Sequence, residues 1–387
     1  MAYELKDRLR VEIYFNDIEF PFDRVNNLDF IHICQSARLR LPMVHLRVID
    51  TSEFFSKNNE LVNGTKIRLT VQVPNSEVQK FDFIMNTAKR MEISTGTAYD
   101  IDGYLNLTKY WIGSQTQPLQ GDSISVMKTI ASACGIGLAK ANVTEYYRYE
   151  QSDDSQWWFP RNKPYHAWMT DLALHYYNSS NYSIAFAISV DKDLLIQGIN
   201  LPRVLMPSKR RAIRYPPDYS KPETLGVVDF APKNSTGANS YQYAYGNTKI
   251  DGSMLNQKKV YTPNSQVSIN IVNNKPLFVN SNVTATADQK RVRFGAIGSG
   301  NTNTNYEVAP TVNRRVYSTY TNGLEVLAVK PMGINLLEWV DVEFDIQTKK
   351  SPKQFNGVYL VTSKVIYIQS NNYYEKYELV TNTNTGN

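Results

Sequence analysis

The sequence predicts a mainly β protein with one small α/β insert. Apolar residues alternate with polar ones in several separate stretches, which is the pattern of half-buried strands. Only two segments show the three-to-four-residue apolar spacing of an amphipathic helix. The 26 tyrosines, together with many Asn, Ser and Thr residues, favour strands and turns over long helices. Because a chain of 387 residues exceeds the size at which a single core usually stops growing, we expect two or three sub-domains.

The first domain is predicted over residues 1–114. Leu9 to Phe15 alternate, Asn16 and Asp17 form a turn, and Ile18 to Phe20 return, which is a β-hairpin signal. The same period recurs in four further stretches: Leu39 and Leu41; Val44, Leu46 and Val48; Ile67, Leu69, Val71 and Val73; and Tyr99, Ile101, Leu105 and Leu107. With no helix between them, these strands indicate an antiparallel barrel or sandwich.

The α/β insert is predicted over residues 115–202 and contains both helices. Asp122 or Ser123 caps the first helix, whose apolar positions are Ile124, Met127, Ala131, Cys134 and Leu138. The second helix has Pro164 in its first turn and an apolar face made of Tyr165, Trp168, Met169, Leu172 and Tyr176. A pair of strands follows at 184–188 and 194–196, on either side of an Asp-Lys-Asp turn.

Residues 203–315 are predicted to be irregular and rich in loops, with short strands such as Val267–Val272 and Arg291–Phe294. Within this segment Tyr241, Tyr243 and Tyr245 would project from one strand face. A subunit interface and an ordinary half-buried strand explain this tyrosine row equally well.

Strong β character returns at Val316. It predicts long strands at Leu324–Val329, Val340–Ile346, Gly357–Ile368 and Tyr374–Val380. We therefore place a second barrel at residues 316–387, completed by strands from 203–260.

The histidines do not form a recognisable catalytic or metal site. His32 and His45 lie in β-like segments without a GxSxG nucleophile elbow, so structural imidazoles are the favoured interpretation. His166 and His175 lie about 180° apart around a helix and cannot share a metal on one face. The sequence therefore predicts no catalytic residue, no metal site and no cofactor.

Other short motifs are equally uninformative about chemistry. GAIGSG at 295–300 lacks the Lys-Ser/Thr of a phosphate-binding loop. Asp153 and Asp154 are adjacent, so on an extended segment their side chains point apart. Cys34 and Cys134 are isolated, which excludes a CxxC metal pair and favours apolar filling.

Charge and hydropathy indicate a soluble protein without a membrane anchor. The formal charge of +6 is modest, and its densest cluster, Lys209 to Arg214, is expected to be a solvated basic loop. The N terminus lacks the apolar run of a secretory signal, and no stretch reaches the roughly 18 apolar residues of a membrane span.

The C-terminal run FNGVYLVTSKVIYIQSNNYYEKYELVTN, residues 355–382, together with this domain order, resembles the baseplate hub proteins of contractile-tailed bacteriophages. These are related to the hub part of type VI secretion spike proteins and to phage late-control proteins. Gly357, Tyr359, Val361 and Val365 match the hub pattern, whereas Tyr367 stands where many relatives have histidine. Upstream, Glu338-Trp339 replaces the usual Pro-Gly of the turn into a strand.

The resemblance also suggests a role for the stretch WWFPRNKPYHAWM, which is similar to the aromatic-Pro segment of the hub family. It implies that Trp157, Trp158 and Trp168 pack the second helix onto the sheet of the insert, and Tyr359 is expected in the core of the second barrel. A ligand platform built from the same tryptophans is the alternative, but only Arg161 and Lys163 accompany them.

The resemblance implies a structural protein rather than an enzyme. Three copies would form a homotrimer of tail-tube-like barrels that adapts a sixfold tail tube to a threefold central spike and surrounds the channel for DNA. Its expected partners are the tail tube protein, a separate central spike protein, baseplate wedge proteins and, as a further candidate, the tape-measure protein. Duplex DNA would be present only in transit. The protein would be made in the bacterial cytoplasm and incorporated into the virion baseplate.

Two alternatives come from other functional classes. A receptor- or carbohydrate-binding tail protein would also be rich in Tyr and Trp. A β-rich hydrolase could carry its acids scattered through the chain.

Overall fold

The computed structural model describes residues 9–21, 28–37, 41–58, 61–138, 153, 155–160, 162–176, 184–198, 210–215, 225–226, 229–234, 262–263, 267–272, 275–280, 291–292, 322–344, 356–369 and 372–381. None of the helices in these ranges is long and apolar enough to cross a membrane.

The described part of the chain consists of two sets of strands separated by an insert, and a region of short strands interrupts the second set. The first set is β1 Arg10–Phe15, β2 Ile18–Glu19, β3 Leu28–Ser36, β4 Met43–Asp50, β5 Lys66–Gln72, β6 Gln79–Ile93 and β7 Gly96–Leu105, with helices α1 Phe54–Asn58 and α2 Thr108–Ile112. The insert is β8 Leu119–Gly121, α3 Ser123–Ala133, β9 Gly137–Leu138, β10 Gln156–Trp158, α4 Tyr165–Leu174, β11 Ile184–Ile188 and β12 Asp193–Gly198.

The second set begins after the insert. It comprises β13 Arg211–Tyr215, β14 Leu225–Gly226, β15 Asp229–Asn234, β20 Asn322–Ala328, β21 Trp339–Phe344, β22 Gly357–Gln369 and β23 Asn372–Thr381. Between β15 and β20 lie β16 Thr262–Pro263, β17 Val267–Val272, β18 Lys275–Asn280 and β19 Arg291–Val292, which form two separate two-stranded sheets.

The two sets have the same strand order. In the first, hereafter module 1, the neighbours run β2-β1-β5-β6-β7-β4-β3. In the second, module 2, they run β14-β13-β21-β22-β23-β20-β15. Each strand of module 1 therefore has a counterpart in module 2, taken in the same chain order. The modules differ in one strand direction, because β13 is parallel to β21 whereas β1 is antiparallel to β5.

Both modules belong to one 14-stranded sheet. The first half of β22 pairs with β21, and its second half pairs with β3 of module 1, from Ser363 opposite Ser36 to Gln369 opposite Phe30. A single hydrophobic core extends through both modules and the insert. The prediction of a mainly β fold with a small α/β insert is confirmed.

Local sequence signals explain several of these elements. Asn16 and Asp17 have φ values of 49° and 68°, which place both in the left-handed region that a two-residue hairpin turn requires. Strands β11 and β12 are buried almost throughout, because α3 and α4 pack together beside them. Two five-residue helices, α1 and α2, were not predicted, because one turn of helix is too short to show an apolar period.

The first helix of the insert has the predicted cap. The Asp122 carboxylate accepts a hydrogen bond from the Ser125 backbone N–H at 2.9 Å, and α3 ends at Ala133, ahead of Gly135 with φ 75°. We expect Asp122→Ala to lower the free energy of unfolding by about 1 kcal/mol, because one N–H at the helix start loses its acceptor. Chemical denaturation would measure this, with Asp122→Asn as the control that keeps a cap.

Candidate assembly face

One face of the shared sheet is not covered by the core. We call it the open face. It comprises the alternate, partly exposed side chains of seven neighbouring strands, in the order β20, β23, β22, β3, β4, β7 and β6. The opposite side of these strands is buried, as the alternating burial of β3 and β4 shows, except at the end of β6, where Thr87–Ile93 are exposed on both sides. The open face therefore runs without interruption from module 2 to module 1.

A row of aromatic and histidine side chains crosses the middle of the open face. Cross-strand pairing places Tyr374 beside Tyr367, Tyr367 beside His32, His32 beside His45, and His45 beside Asp102. The Tyr367 and His32 rings lie 4.7 Å apart, and His45 Nδ1 lies 2.6 Å from Asp102 Oδ1. Burial, and secondarily the neighbouring His45, lowers the pKa of His32, so neutral imidazole is favoured there.

Two cations of the open face, Arg47 and Lys376, are held by carboxylates. Arg47 binds Asp100 through two hydrogen bonds, of 2.5 and 3.0 Å, and reaches Asp29 at 3.2 Å. Its hydrogen bonds lower the pKa of Asp100. Lys376 lies 2.5 Å from Glu325. Arg47 and Lys376 are thus already neutralised within the chain.

The modules are joined where β22 pairs with β3, and the corresponding part of β6 has no such partner strand within the described residues. In β22 a bulge at Thr362 precedes the seven residues that pair with β3, and in β6 a bulge at Asn86 precedes Thr87–Ile93. Each bulge stands seven residues before the last paired residue of its strand, Gln369 in β22 and Ile93 in β6. Thr87–Ile93 pairs with β7 on one edge, whereas no strand of the described ranges pairs with its other edge. We call this edge the free edge of β6.

A buried ionic cluster lies beneath module 2. Glu375 is fully buried and accepts hydrogen bonds from Tyr373 at 2.7 Å, Tyr377 at 2.5 Å and the Met332 backbone N–H at 2.8 Å. Lys364 Nζ lies 3.0 Å from Glu375 Oε1, the oxygen that also accepts from Tyr373. Burial alone would raise the pKa of Glu375, but the Lys364 charge and these three donors outweigh it and hold the pKa below its usual value. The cluster fixes the segment after β20 to strands β22 and β23.

The described part of the basic cluster, residues 210–214, is not a solvated loop, so that prediction is wrong there. Arg211 to Tyr215 form β13, and all three arginines of the cluster pair with acids on or just before the neighbouring β21. The pairs are Arg210 with Asp341, Arg211 with Glu338, and Arg214 with Glu343. Glu338, which replaces the proline of the hub pattern, is 3% exposed and also accepts from the Asn335 N–H. The preceding Leu337 has φ 60°, a conformation that glycine would adopt without strain.

The structure separates the predicted core tryptophans. Trp158 and Trp168 are buried, and Trp158 Nε1 donates to the Gly121 carbonyl at 2.9 Å. Trp157 is 56% exposed, so the prediction that it packs in the core is wrong. The physical reason is that Trp157 and Trp158 are consecutive on strand β10 and must point to opposite sides. Trp158 lies on β10, which pairs with β8 in a sheet separate from that of β11 and β12.

These positions give a matched pair of variants. We expect Trp168→Ala to lower the free energy of unfolding by about 3 kcal/mol, because it leaves a cavity between α4 and its neighbours. Trp157→Ala should change the free energy of unfolding by less than about 0.5 kcal/mol, since an exposed ring makes few packing contacts that the substitution could remove. Denaturant titration of both variants would check this, and equal losses would contradict the assignment.

Of the other residues singled out from the sequence, some lie within the described residues and some lie outside them. Tyr359 is buried in module 2, where burial raises its pKa to about 12. Tyr241, Tyr243 and Tyr245 lie outside the described residues, as does the glycine-rich stretch 295–300. His166 is buried and stacks on Trp111 at 4.7 Å. Within the described ranges no three His, Cys, Asp or Glu side chains are grouped so that they could hold a metal ion.

The sequence pattern did not lead to a prediction of strand β6 or of the buried charge of Glu375. Strand β3 was recognised only as a β-like segment around His32, although it alternates from Ile31 to Gln35, and no part of β6 was predicted. A signal for Glu375 was present, because it falls in the same alternating phase as Tyr373, Tyr377 and Leu379, all of which are buried. An acid in the apolar phase of a strand predicts a buried ionic partner.

Solved structures share this architecture. A tail protein from Neisseria meningitidis superposes with a TM-score of 0.55 at 8% identity, over 96% of both chains. The 43 kDa tail protein of prophage MuSo2 from Shewanella oneidensis gives 0.55 at 9% identity, again over 96% of both chains. The chain has a phage tail hub-like fold. A chain of the lidded Francisella PdpA-VgrG complex also matches, with a TM-score of 0.52 at 8% identity over 97% of this chain and 53% of that one.

The hub-like fold is detected by comparison of structures and not by comparison of sequences. No protein-family model and no curated protein matches the chain by sequence. The predicted resemblance in fold is therefore confirmed by the path of the backbone, at identities of 8–9%.

Proposed function

We propose that the protein is the structural baseplate hub of a phage tail or a related contractile injection machine. Three copies would form a ring that adapts a sixfold tail tube to a threefold central spike. The observation that carries this proposal is the duplicated module, because a trimer of a two-module chain presents six similar units around its axis. The tail-protein fold supports the same conclusion.

The strand pairing between neighbouring chains can be derived from the pairing of β22 with β3 within one chain. Counting from the matching bulges, Thr87–Ile93 of β6 corresponds to Ser363–Gln369 of β22. Strand β15 corresponds to β3 in the order of strands. Repeating the β22–β3 pairing between chains places Ile93 of one chain opposite Asp229 of the next. The free edge of β6 would then be covered. Pro232 in β15 lacks a backbone N–H, so it leaves at most one bond of this ladder unmade.

The size of the sheet suits a channel. Eight strands in sequence, from β15 to β6, contribute to the shared wall of each chain. At about 4.8 Å per strand, three chains give a backbone circumference of roughly 115 Å and a diameter of about 37 Å. Side chains reduce this, but a DNA duplex still fits. The open face would point inward, because most of it is uncovered. On the opposite side the Val190 N–H of the insert donates to core-facing Gln35 at 3.2 Å, and near the start of β6 Lys192 of the insert also pairs with Asp82.

The charges of the open face suit passage of DNA rather than binding. Its fixed cations are outnumbered by carboxylates: Arg47, Lys89 and Lys376 against Asp29, Asp100, Asp102, Glu325 and Glu378. Phosphates would meet a net negative wall in which Arg47 and Lys376 are already paired, which allows sliding. Duplex DNA would be present only in transit, and the lasting partners would be the tail tube, the spike and other baseplate proteins of the virion.

The oligomeric state of the purified protein tests the proposal. Sedimentation analysis should find a species with three times the 44.2 kDa chain mass, alone or with a spike or tube protein added. Monomers under every assembly condition would overturn the hub function.

Glycan binding is a second candidate function, favoured by one observation. Trp157 and Phe159 are 56% and 65% exposed and stand two residues apart at β10, as in a platform that stacks sugar rings. A glycan array with the wild type and Trp157→Ala tests it. Binding that disappears in the variant would establish this function, and no binding would exclude it.

A further inference from the structure

A cavity of about 570 Å³ lies where module 1, module 2 and the insert meet. We call it the joint cavity. Its walls are residues 76–81 at the start of β6, residues 189–191 in the turn between β11 and β12, and residues 331–336 after β20. Its floor is the core side of the β22–β3 pair, where Lys364 lies opposite Gln35. This volume is within the range of ligand pockets.

Much of the wall of the joint cavity is apolar. The segment after β20 contributes the buried side chains Met332, Ile334 and Leu336, and β6 contributes buried Phe81. Val78, which is 46% exposed, stands at the mouth of the joint cavity. A ligand that fills this space therefore needs an apolar part.

The floor offers hydrogen-bond donors. Gln35 is 5% exposed, and its Oε1 accepts from the Val190 N–H at 3.2 Å. The amide nitrogen of Gln35 has no acceptor among the residues that the structure describes. Lys364 Nζ contacts Glu375 at 3.0 Å, and an ammonium has three N–H groups to donate. A buried donor without an acceptor costs free energy, so a ligand that fits places an accepting oxygen on this floor.

The charges around the joint cavity exclude a carboxylate as that oxygen. Lys364 is already neutralised by Glu375, so a carboxylate on the floor would leave one buried negative charge without a partner. At the rim, Glu77 and Asp191 are exposed acids, and Lys80 is an exposed base. The carbonyl oxygen of an amide accepts hydrogen bonds without bringing a charge, and it fits both conditions.

We propose that the joint cavity binds an uncharged amide with an aliphatic side group, which is the chemistry of an internal peptide unit. The carbonyl oxygen accepts from Gln35 and Lys364, and the aliphatic group packs against residues 332–336. Because the walls belong to three parts of the chain, a ligand in the joint cavity stabilises the contact between both modules and the insert. This inference goes beyond the hub proposal and applies to a monomer and a trimer alike.

NMR of the full chain, labelled at its methionine methyl groups, measures the occupancy of the joint cavity. Met332 lines the cavity, whereas Met127 is buried in α3 and serves as the internal control. Met332→Leu and Met127→Leu assign the two signals. The probes are N-acetyl-leucine-N-methylamide, its carboxylate analogue N-acetyl-leucine, and an acetylated, methylamide-capped tripeptide of alanine, leucine and alanine.

We expect the neutral leucine amide to shift the Met332 signal with a Kd on the order of 1 mM, since so small a ligand gains little free energy. N-acetyl-leucine should bind at least about tenfold more weakly, because its charge has no partner on the floor. Tighter binding of the tripeptide assigns the site to a polypeptide, and equal binding assigns it to a small molecule.

Two variants separate the mouth of the joint cavity from its floor. Val78→Trp fills the mouth and should weaken binding of the leucine amide by about tenfold. Its matched control is Val62→Trp, the same change at a position outside the cavity that is 54% exposed, and it should leave the affinity unchanged. Gln35→Leu removes the free donor and should also weaken binding by about tenfold. Val78→Trp leaves the floor intact, so it tests the site even if Gln35→Leu does not fold.

Three results would overturn the inference. The first is a Met332 signal that the leucine amide does not move, and the second is an equal shift with N-acetyl-leucine. The third is equal affinity of Val78→Trp and the wild type, or a Met127 signal that shifts together with that of Met332, because either would place binding outside the joint cavity.

Discussion

A chain carrying Met91→Cys and Ala231→Cys is expected to form covalent trimers under oxidising conditions. Within the chain, Tyr367 of β22 lies opposite His32 of β3, and these positions correspond to Met91 of β6 and Ala231 of β15. If the same pairing closes the ring, the two new cysteines stand directly opposite each other across a strand pair. Their Cα atoms would then lie about 4.5–5.5 Å apart, within the range of a disulfide.

The cross-link is read on a non-reducing gel of the full-length protein. Each single variant is the matched control, because one cysteine alone has no partner at that position. Cross-linking of both single variants as strongly as the double variant would mean that the native cysteines react instead. Absence of a covalent ladder in a protein that is trimeric by sedimentation would show that the ring closes through another surface.

Glu375→Gln is expected to lower the free energy of unfolding by about 3–5 kcal/mol, the largest loss from any single substitution considered. The side chain keeps its shape, but Lys364 is left with only 11% exposure and no counter-charge. The double variant Glu375→Gln/Lys364→Met should recover much of the loss, since it removes both charges. A double-mutant cycle by chemical denaturation measures the coupling, and simple additivity would contradict it.

The same cluster predicts how stability depends on pH. The folded pKa of Glu375 lies below its unfolded value, so its contribution is fully present above the ordinary glutamate pKa of about 4.3. It is lost as the pH falls through the lower, folded pKa. Stability of the wild type should therefore fall more steeply below about pH 4 than that of Glu375→Gln/Lys364→Met, which has no charge to titrate there.

Local sequence pattern predicted the elements that alternate or cap clearly. The hairpin at Leu9–Phe20 and helix α3 are confirmed because their signals lie within a few residues of each other. Strand β6 was not predicted at all, and its free half has no alternating signal because it is exposed on both sides. Its exposure is also what makes it available to a neighbouring chain.

The features that define the candidate site depend on contacts distant in sequence. Ser363 pairs with Ser36, and Arg211 pairs with Glu338, and neither pair could be predicted from local pattern. The duplication was visible as two regions rich in strands, but the matching order of strands emerges only from the pairing. Of two adjacent aromatics such as Trp157 and Trp158, the sequence could not tell which one is buried, because both fit either side of the strand.

Electron cryomicroscopy of the purified trimer, with spike or tube protein added if assembly requires it, tests the central claim most directly. The map should contain six similar strand modules around a central hole, with the open face lining the hole and β6 of each chain beside β15 of the next. A map in which the free edge of β6 remains uncovered, or in which the open face lies on the outside of the particle, would contradict the account.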